Sequence, residues 1–144
     1  MTTREFKTHS AEETIALGRS LAPELKGLHL VLLQGDLGTG KTTLVKGIAD
    51  GLKAAESHNV TSPTYTLIHE YRGAETNVYH IDLYRVEKRR ELDTLGVEEL
   101  LQEENSLLLI EWGEKFAQMV SAADGTIAIT RVNDQERKIK FTKK

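Results

Sequence analysis

A chain of 144 residues, 39% hydrophobic and 28% charged, has the make-up of a soluble globular protein, and its length suits one domain, residues 1–144, with a real core. Its net charge of −3 argues against a broad basic surface able to grip nucleic acid unaided. There is no cysteine for a disulfide or thiolate metal site, no long apolar run to span a membrane, and no apolar signal core in Met1-Thr2-Thr3-Arg4-Glu5-Phe6, so the expectation is a cytoplasmic protein with no membrane association.

Taken in order, Glu5 to His9 reads as a short first strand. Ser10-Ala11-Glu12-Glu13 fits a capping box, with Ser10 capping a helix and Glu13 reaching back. That helix is expected to run to about Ala22 and stop before Pro23, with Gly27 breaking the chain after it. Leu30-Val31-Leu32-Leu33 is an apolar run of the kind that forms a buried strand. It leads into Gly35-Asp36-Leu37-Gly38-Thr39-Gly40-Lys41-Thr42, a complete G-x-x-x-x-G-K-[ST] phosphate-binding loop. Thr43 to Ala49 then opens a helix that should end near Gly51.

The residue types in this loop follow from what a polyphosphate demands. Gly35, Gly38 and Gly40 let the backbone turn tightly and come close to phosphate oxygens. The N–H groups of Asp36, Leu37 and Thr39 then face inward with those of the glycines, as an anion-binding nest, and the next helix adds its positive end. Lys41 can reach the β- and γ-phosphates, Thr42 can hold Mg²⁺, and Thr43 can bond an inner phosphate. Ordinary residue frequencies give such a pattern by chance in about one chain in two hundred of this length. The strand before it and the helix after it favour a nucleotide site further.

Beyond the loop, Ser57 to Tyr65 is polar and turn-like, and in an α/β sheet such a segment can border the ligand crevice. Thr66 to Tyr71 and Asn77 to Tyr84 read as strands of a hairpin around Gly73. Glu87 to Leu95 and Val97 to Glu104 look helical, broken by Gly96. Leu107 to Glu111 is a buried strand ending on an acid, Glu114 to Val120 a short helix, and Thr126 to Val132 with Arg137 to Phe141 a second hairpin around Asn133-Asp134. The sum is an α/β fold of three layers, a P-loop NTPase with a mixed, mostly parallel sheet and hairpins at its edges. Lys88-Arg89-Arg90 and the basic C-terminal stretch read as solvated surface.

Magnesium prefers hard oxygen ligands and usually takes one or two carboxylates. Two acids end strands that can lie beside the loop. Glu111 follows four apolar residues, the mark of a central strand, and is read as the Mg²⁺ ligand, directly or through water. Asp82 ends a more alternating strand, expected to be half exposed, and is assigned to support that site or to position the attacking water. His69 and His80 are read as structural, as lone strand histidines more often are. Trp112 packs either on the site or a partner, or in the core. A guanine site would typically carry N-K-x-D at a later strand end; none occurs, which favours ATP.

With these motifs in hand the chain resembles the TsaE family, formerly YjeE, of bacterial ATPases needed for threonylcarbamoyladenosine on tRNA. The resemblance rests on Gly35 to Thr43, Ser62-Pro63-Thr64-Tyr65, His80-Ile81-Asp82-Leu83-Tyr84-Arg85 and Ile110-Glu111-Trp112-Gly113-Glu114 in that order, and weakens after about Val120. It implies that Thr42 and Glu111 bind Mg²⁺, that Asp82 lies near the γ-phosphate, and that Ser62 to Thr64 sense it as a switch-like loop. It also implies adenine near Thr8 to Ser10 and near Arg131. The implied partners are TsaD and TsaB, the threonylcarbamoyl-transfer pair, with tRNA met only through that complex. Slow ATP hydrolysis would reset the pair between turnovers.

The reaction expected is attack of an in-line water on ATP, with Lys41, the loop amides and Mg²⁺ stabilising the phosphoryl oxygens. Arg85 is a candidate arginine finger, although a surface ion pair is the favoured role. Two alternatives share the same loop. A small-molecule kinase would need a substrate-binding insert, and none is long enough here. A module that binds ATP only to set its shape for a partner would need the same loop and acid.

Overall fold

The computed structural model describes residues 1–36, 38–55 and 67–144. Its elements run β1 (Thr2–Thr8), α1 (Ala11–Leu25), β2 (Leu30–Gln34), α2 (Lys41–Gly51), β3 (Ile68–Arg72), β4 (Asn77–Asp82), α3 (Arg89–Leu95), α4 (Val97–Leu101), β5 (Ser106–Glu111), a 3₁₀ turn (Gly113–Lys115), α5 (Ala117–Ala122), β6 (Gly125–Arg131) and β7 (Arg137–Lys143). The seven strands form one sheet in the order β1-β7-β6-β2-β5-β4-β3. Its four middle strands, β6, β2, β5 and β4, run parallel; the outer pairings, β1 with β7, β7 with β6 and β3 with β4, are antiparallel. This is an α/β P-loop NTPase fold with a hairpin at each flank.

Period-two alternation along fully apolar strands divides the core in two. Val31 and Leu33 of β2, with Leu107 and Leu109 of β5, face the layer of α1 and α2. Leu30, Leu32, Leu108 and Ile110 face the opposite layer, where Leu92, Val97, Phe116 and Met119 cover them. Strands buried on both faces can therefore be apolar at consecutive positions, as Leu30 to Leu33 of β2 and Leu107 to Ile110 of β5 are. Any charged group at the end of such a strand is held on a rigid base.

Helix α1 differs from expectation at both ends. Ser10 does cap it, accepting from the Glu13 N–H at 3.0 Å, but the Glu13 carboxylate reaches one residue further back, to the His9 N–H at 2.9 Å. The helix also continues through Pro23 to Leu25. Proline removes one helical hydrogen bond there, yet Lys26 N–H still bonds the Ala22 carbonyl at 2.9 Å, and Leu21, Ala22 and Leu25 are buried on both sides of the ring. Tertiary packing outweighs one lost bond in a last turn.

Two further expectations are corrected. Val78, Tyr79, His80 and Ile81 are all buried, so β4 is an interior strand between β3 and β5 and not half exposed. The segment from Glu114 to Val120 is not one helix: Phe116 is extended, burying its ring, and separates the 3₁₀ turn from α5. The two hairpins form as expected, with β3 and β4 joined around Gly73 and β6 and β7 around Asn133-Asp134. Among the described residues no helix is long and apolar enough to cross a membrane.

Candidate functional site

The glycine-rich loop leaves the C-terminal end of β2, in the middle of the sheet. Gly35 sits at φ +151°, and a Cβ there would meet the Ile129 carbonyl oxygen at 2.7 Å, so only glycine lets the loop pass β6. Thr39 closes a tight turn by donating its N–H and hydroxyl to the Asp36 carbonyl, at 3.3 and 2.9 Å. Gly40 is left-handed at φ +102° and starts α2 without any side-chain cap. The first N–H groups of α2 thus have no partner from a cap, which is the arrangement that receives an anion. Leu37 lies outside the described residues.

Lys41 is the first residue of α2 and is only 5% exposed. Its ammonium donates to the Gly35 carbonyl at 2.6 Å, stands 3.3 Å from Glu111 Oε1 and lies 4.9 Å from the centre of the Trp112 ring. Strand register explains the meeting. Glu111 is paired with Leu33 across the β2–β5 ladder and with Asp82 across the β4–β5 ladder. The three strands therefore end level with one another, directly beneath the loop.

Glu111 is held from two sides. His80, fully buried, places Nε2 at 2.6 Å from Oε2 of Glu111, while Lys41 faces Oε1. Burial alone would push the Glu111 carboxyl up. The hydrogen bond and attraction of His80, then those of Lys41, outweigh it and hold the group below the ordinary glutamate range. Asp82 goes the other way. Burial raises its carboxyl, against the hydrogen bond that Oδ1 accepts from the Tyr84 N–H at 2.9 Å.

A cleft of about 520 Å³ opens over this row. Gly38, Gly40, Lys41, Thr42, Thr43, Asp82 and Glu111 line it, joined by Leu67, Tyr84, Arg85 and Arg137. The last turn of the loop, the start of α2 and both candidate acids thus converge on one cavity. Thr39 is buried behind it. Ser10 lies in an adjoining depression that shares Gly40, Thr43 and Arg137 with the main cleft. Arg131 lies in a third, with Gly35, Asp36 and Thr39, and pairs with Asp134. Thr8 is buried, its hydroxyl 2.7 Å from that of Thr14 at the β1–α1 junction. Ser62 and Thr64 lie outside the described residues.

Three residues, His80, Arg137 and Lys115, take places that sequence reasoning did not give them. His80 is part of the site through Glu111. Arg137, from the far hairpin, donates Nε to the Thr39 carbonyl at 2.8 Å and so braces the loop. Lys115 donates to the carbonyls of Leu83 and Tyr84, at 3.1 and 2.9 Å, and pins the turn after Asp82. Arg85 makes no ion pair among the described residues and stands on the cleft rim. For His80 a signal existed: it shares strand and motif with Asp82. Arg137 carried none, because its position depends on β7 folding back beside β6. Trp112 meets both the site and the core: its ring lies beside Lys41, tilted at 55° to the Tyr84 ring 5.1 Å away, and packs against the core cluster that contains Leu32 and Ile110, with the backbone left-handed at φ +63°.

The donor set suits a magnesium ion delivered with a nucleotide. Among the described residues no group of three or more His, Asp or Glu side chains forms a protein-only cage. The Thr42 hydroxyl and the carboxylates of Glu111 and Asp82 border the cleft, a small set of hard oxygen donors that leaves positions to phosphate oxygens and water, as magnesium prefers.

Comparison with known proteins shows the family and the fold. Residues 8–139 match the family model described as threonylcarbamoyl adenosine biosynthesis protein TsaE. The chain is 37% identical over 138 residues to the tRNA threonylcarbamoyladenosine biosynthesis protein TsaE of Bacillus subtilis, covering 96% of this chain and 84% of that one. It is 33% identical over 141 residues to the protein of the same description from Aquifex aeolicus, covering 98% and 97%. A crystal structure of Bacillus subtilis YdiB superposes with a TM-score of 0.74 at 32% identity, covering 99% of this chain and 86% of that one.

Proposed function

The chain belongs to the TsaE family, and from that premise we propose that it is a magnesium-dependent ATPase serving tRNA threonylcarbamoyladenosine synthesis. The observation that carries the reading is the meeting of Lys41 and Glu111, 3.3 Å apart beneath a loop whose helix has no cap of its own. The loop amides and the Lys41 ammonium bind the triphosphate, and Thr43 holds an inner phosphate. On nucleotide arrival Lys41 exchanges its contacts with Gly35 and Glu111 for phosphate oxygens. Thr42 and Glu111 would hold the magnesium ion, which would neutralise charge on the phosphate oxygens.

Asp82 borders the same cleft with one oxygen committed to the Tyr84 N–H. Its other oxygen is available to orient water for in-line attack. The nucleoside end lies toward Ser10, where the adjoining depression meets Thr43, with Thr8 supporting that wall and Arg131 approaching from the β6 side. Ser62 and Thr64 belong to the segment that senses the γ-phosphate. Hydrolysis is slow in the isolated protein and resets the TsaB–TsaD pair, with tRNA reached only through that complex; family membership is what supports these partners.

The test is hydrolysis of ATP by the purified protein with magnesium, alone and with TsaB and TsaD. Turnover that rises when the partners are added and vanishes in Lys41→Ala is expected. Unchanged turnover in a folded Lys41→Ala variant would contradict the proposal.

A further inference from the structure

His80 is a fully buried histidine on an interior strand, yet only one of its nitrogens is used. Nε2 lies 2.6 Å from Glu111 Oε2, whereas Nδ1 is buried with no hydrogen-bond partner among the described residues. That asymmetry sets the tautomer. A proton on Nδ1 would leave a buried donor unsatisfied and turn the Nε2 lone pair toward a carboxylate, two unfavourable arrangements at once. With a proton on Nε2 the bond to Glu111 is made.

We propose that His80 is a positioning residue: by donating Nε2–H to Oε2 it locks the Glu111 carboxylate in one rotation and presents Oε1 alone to the cleft as a single-oxygen magnesium ligand. This rests on the reading of Glu111 as the metal ligand. The geometry gives the lock three anchors. His80 sits opposite Leu109 on the β4–β5 ladder, two residues before the row of Asp82 and Glu111. Leu33 pairs with Glu111 from the other side, so the backbone cannot shift. Oε1 is left 3.3 Å from Lys41, inside the cavity. Carboxylates that bind metal are commonly held by such an outer hydrogen bond, whose loss lowers metal affinity by about 10–100-fold. A consequence is a division of labour between the two acids. With Oε2 turned to His80 and Oε1 to the metal, Glu111 is not the group that orients the attacking water, and that task falls to Asp82.

The experiment compares His80→Gln with His80→Asn in the full chain. A glutamine amide reaches as far as Nε2 and can restore the bond; an asparagine amide is equally polar but ends one carbon short. The readout is the affinity of the protein–ADP complex for Mn²⁺, followed by electron paramagnetic resonance, beside ADP affinity measured with no divalent ion. His80→Asn is expected to weaken Mn²⁺ binding by about tenfold or more while metal-free ADP affinity stays within about twofold, and His80→Gln to recover most of the loss. Wild-type Mn²⁺ affinity in His80→Asn, or an equal loss in both variants, would overturn the proposal. Should His80→Asn not fold, His80→Gln decides alone: near wild-type metal affinity supports the lock, and a tenfold loss at a native melting temperature refutes it. Glu111→Gln keeps the two claims apart. If that variant binds Mn²⁺ normally, Glu111 is no ligand and the underlying reading fails; if it loses Mn²⁺ while His80→Asn does not, only the lock fails.

Discussion

At the scale of single residues the site is a set of buried charges that offset one another. Lys41 and Glu111 are each 5% exposed and stand 3.3 Å apart, so each offsets part of the cost of burying the other. Lys41→Ala is therefore expected to reduce ATP turnover by about 100-fold or more, with circular dichroism still native, because His80 continues to hold Glu111. The two acids should respond to pH in opposite ways. The Glu111 carboxyl is lowered from an ordinary 4.5, so its stabilisation is complete above that pH and is lost as pH falls through the folded-state value. The Asp82 carboxyl is raised from 3.8 by burial, so its ionised form opposes folding at neutral pH. Asp82→Asn should accordingly raise the melting temperature of the ligand-free protein at pH 7, an advantage that shrinks as pH is lowered toward 3.8, while turnover falls. A melting temperature that drops at pH 7 would refute this. Glu111 and the loop glycines were legible in the sequence because each ends or follows an apolar strand, and Asp82 because it ends the strand of a hairpin. His80 was not given its place, since one residue's alternation cannot tell which neighbour its ring nitrogen meets.

At the scale of elements, what positions the loop is the close approach of α1 and α2. Gly18 and Gly47 face each other there: a Cβ on Gly47 would lie 2.0 Å from the Ile15 carbonyl oxygen, and one on Gly18 2.5 Å from that of Leu44. Both obstacles are backbone, so the helices would have to separate. Gly47→Ala is expected to cost about 1–3 kcal/mol in denaturant unfolding, and to weaken nucleotide binding as well because α2 begins at Lys41. A variant as stable as the parent would show that the contact is slack. The elements themselves follow the sequence closely where periodicity is strong, as in β2, β5 and both hairpins. Departures occur where packing overrides a local rule. Pro23 sits inside α1, β4 is covered on both faces, and Phe116 divides a segment of helical pattern. None of these depends on nearest neighbours in sequence, which is why local reading passes over them.

At the scale of the whole molecule, the sheet order brings three strand ends level under one loop, and α1, α2 and the far hairpin hold that loop in place. Arg137 ties the Thr39 carbonyl to β7, a contact across 98 positions of sequence that no motif announces. A ligand seated there stabilises the fold by mass action, by about 2.7 kcal/mol at a hundredfold excess over its dissociation constant. Mg-ADP should therefore raise the melting temperature clearly, ADP with chelator less, and Glu111→Gln should lose the magnesium-dependent part. Equal shifts with and without magnesium would place the ion elsewhere. The most direct measurement is a crystal structure of the protein with Mg²⁺ and a non-hydrolysable ATP analogue. The account predicts the β- and γ-phosphates within the loop, contacted by Lys41, and the ion between Thr42 and a single oxygen of Glu111. A triphosphate bound away from the loop, or an ion that neither residue touches, would contradict it.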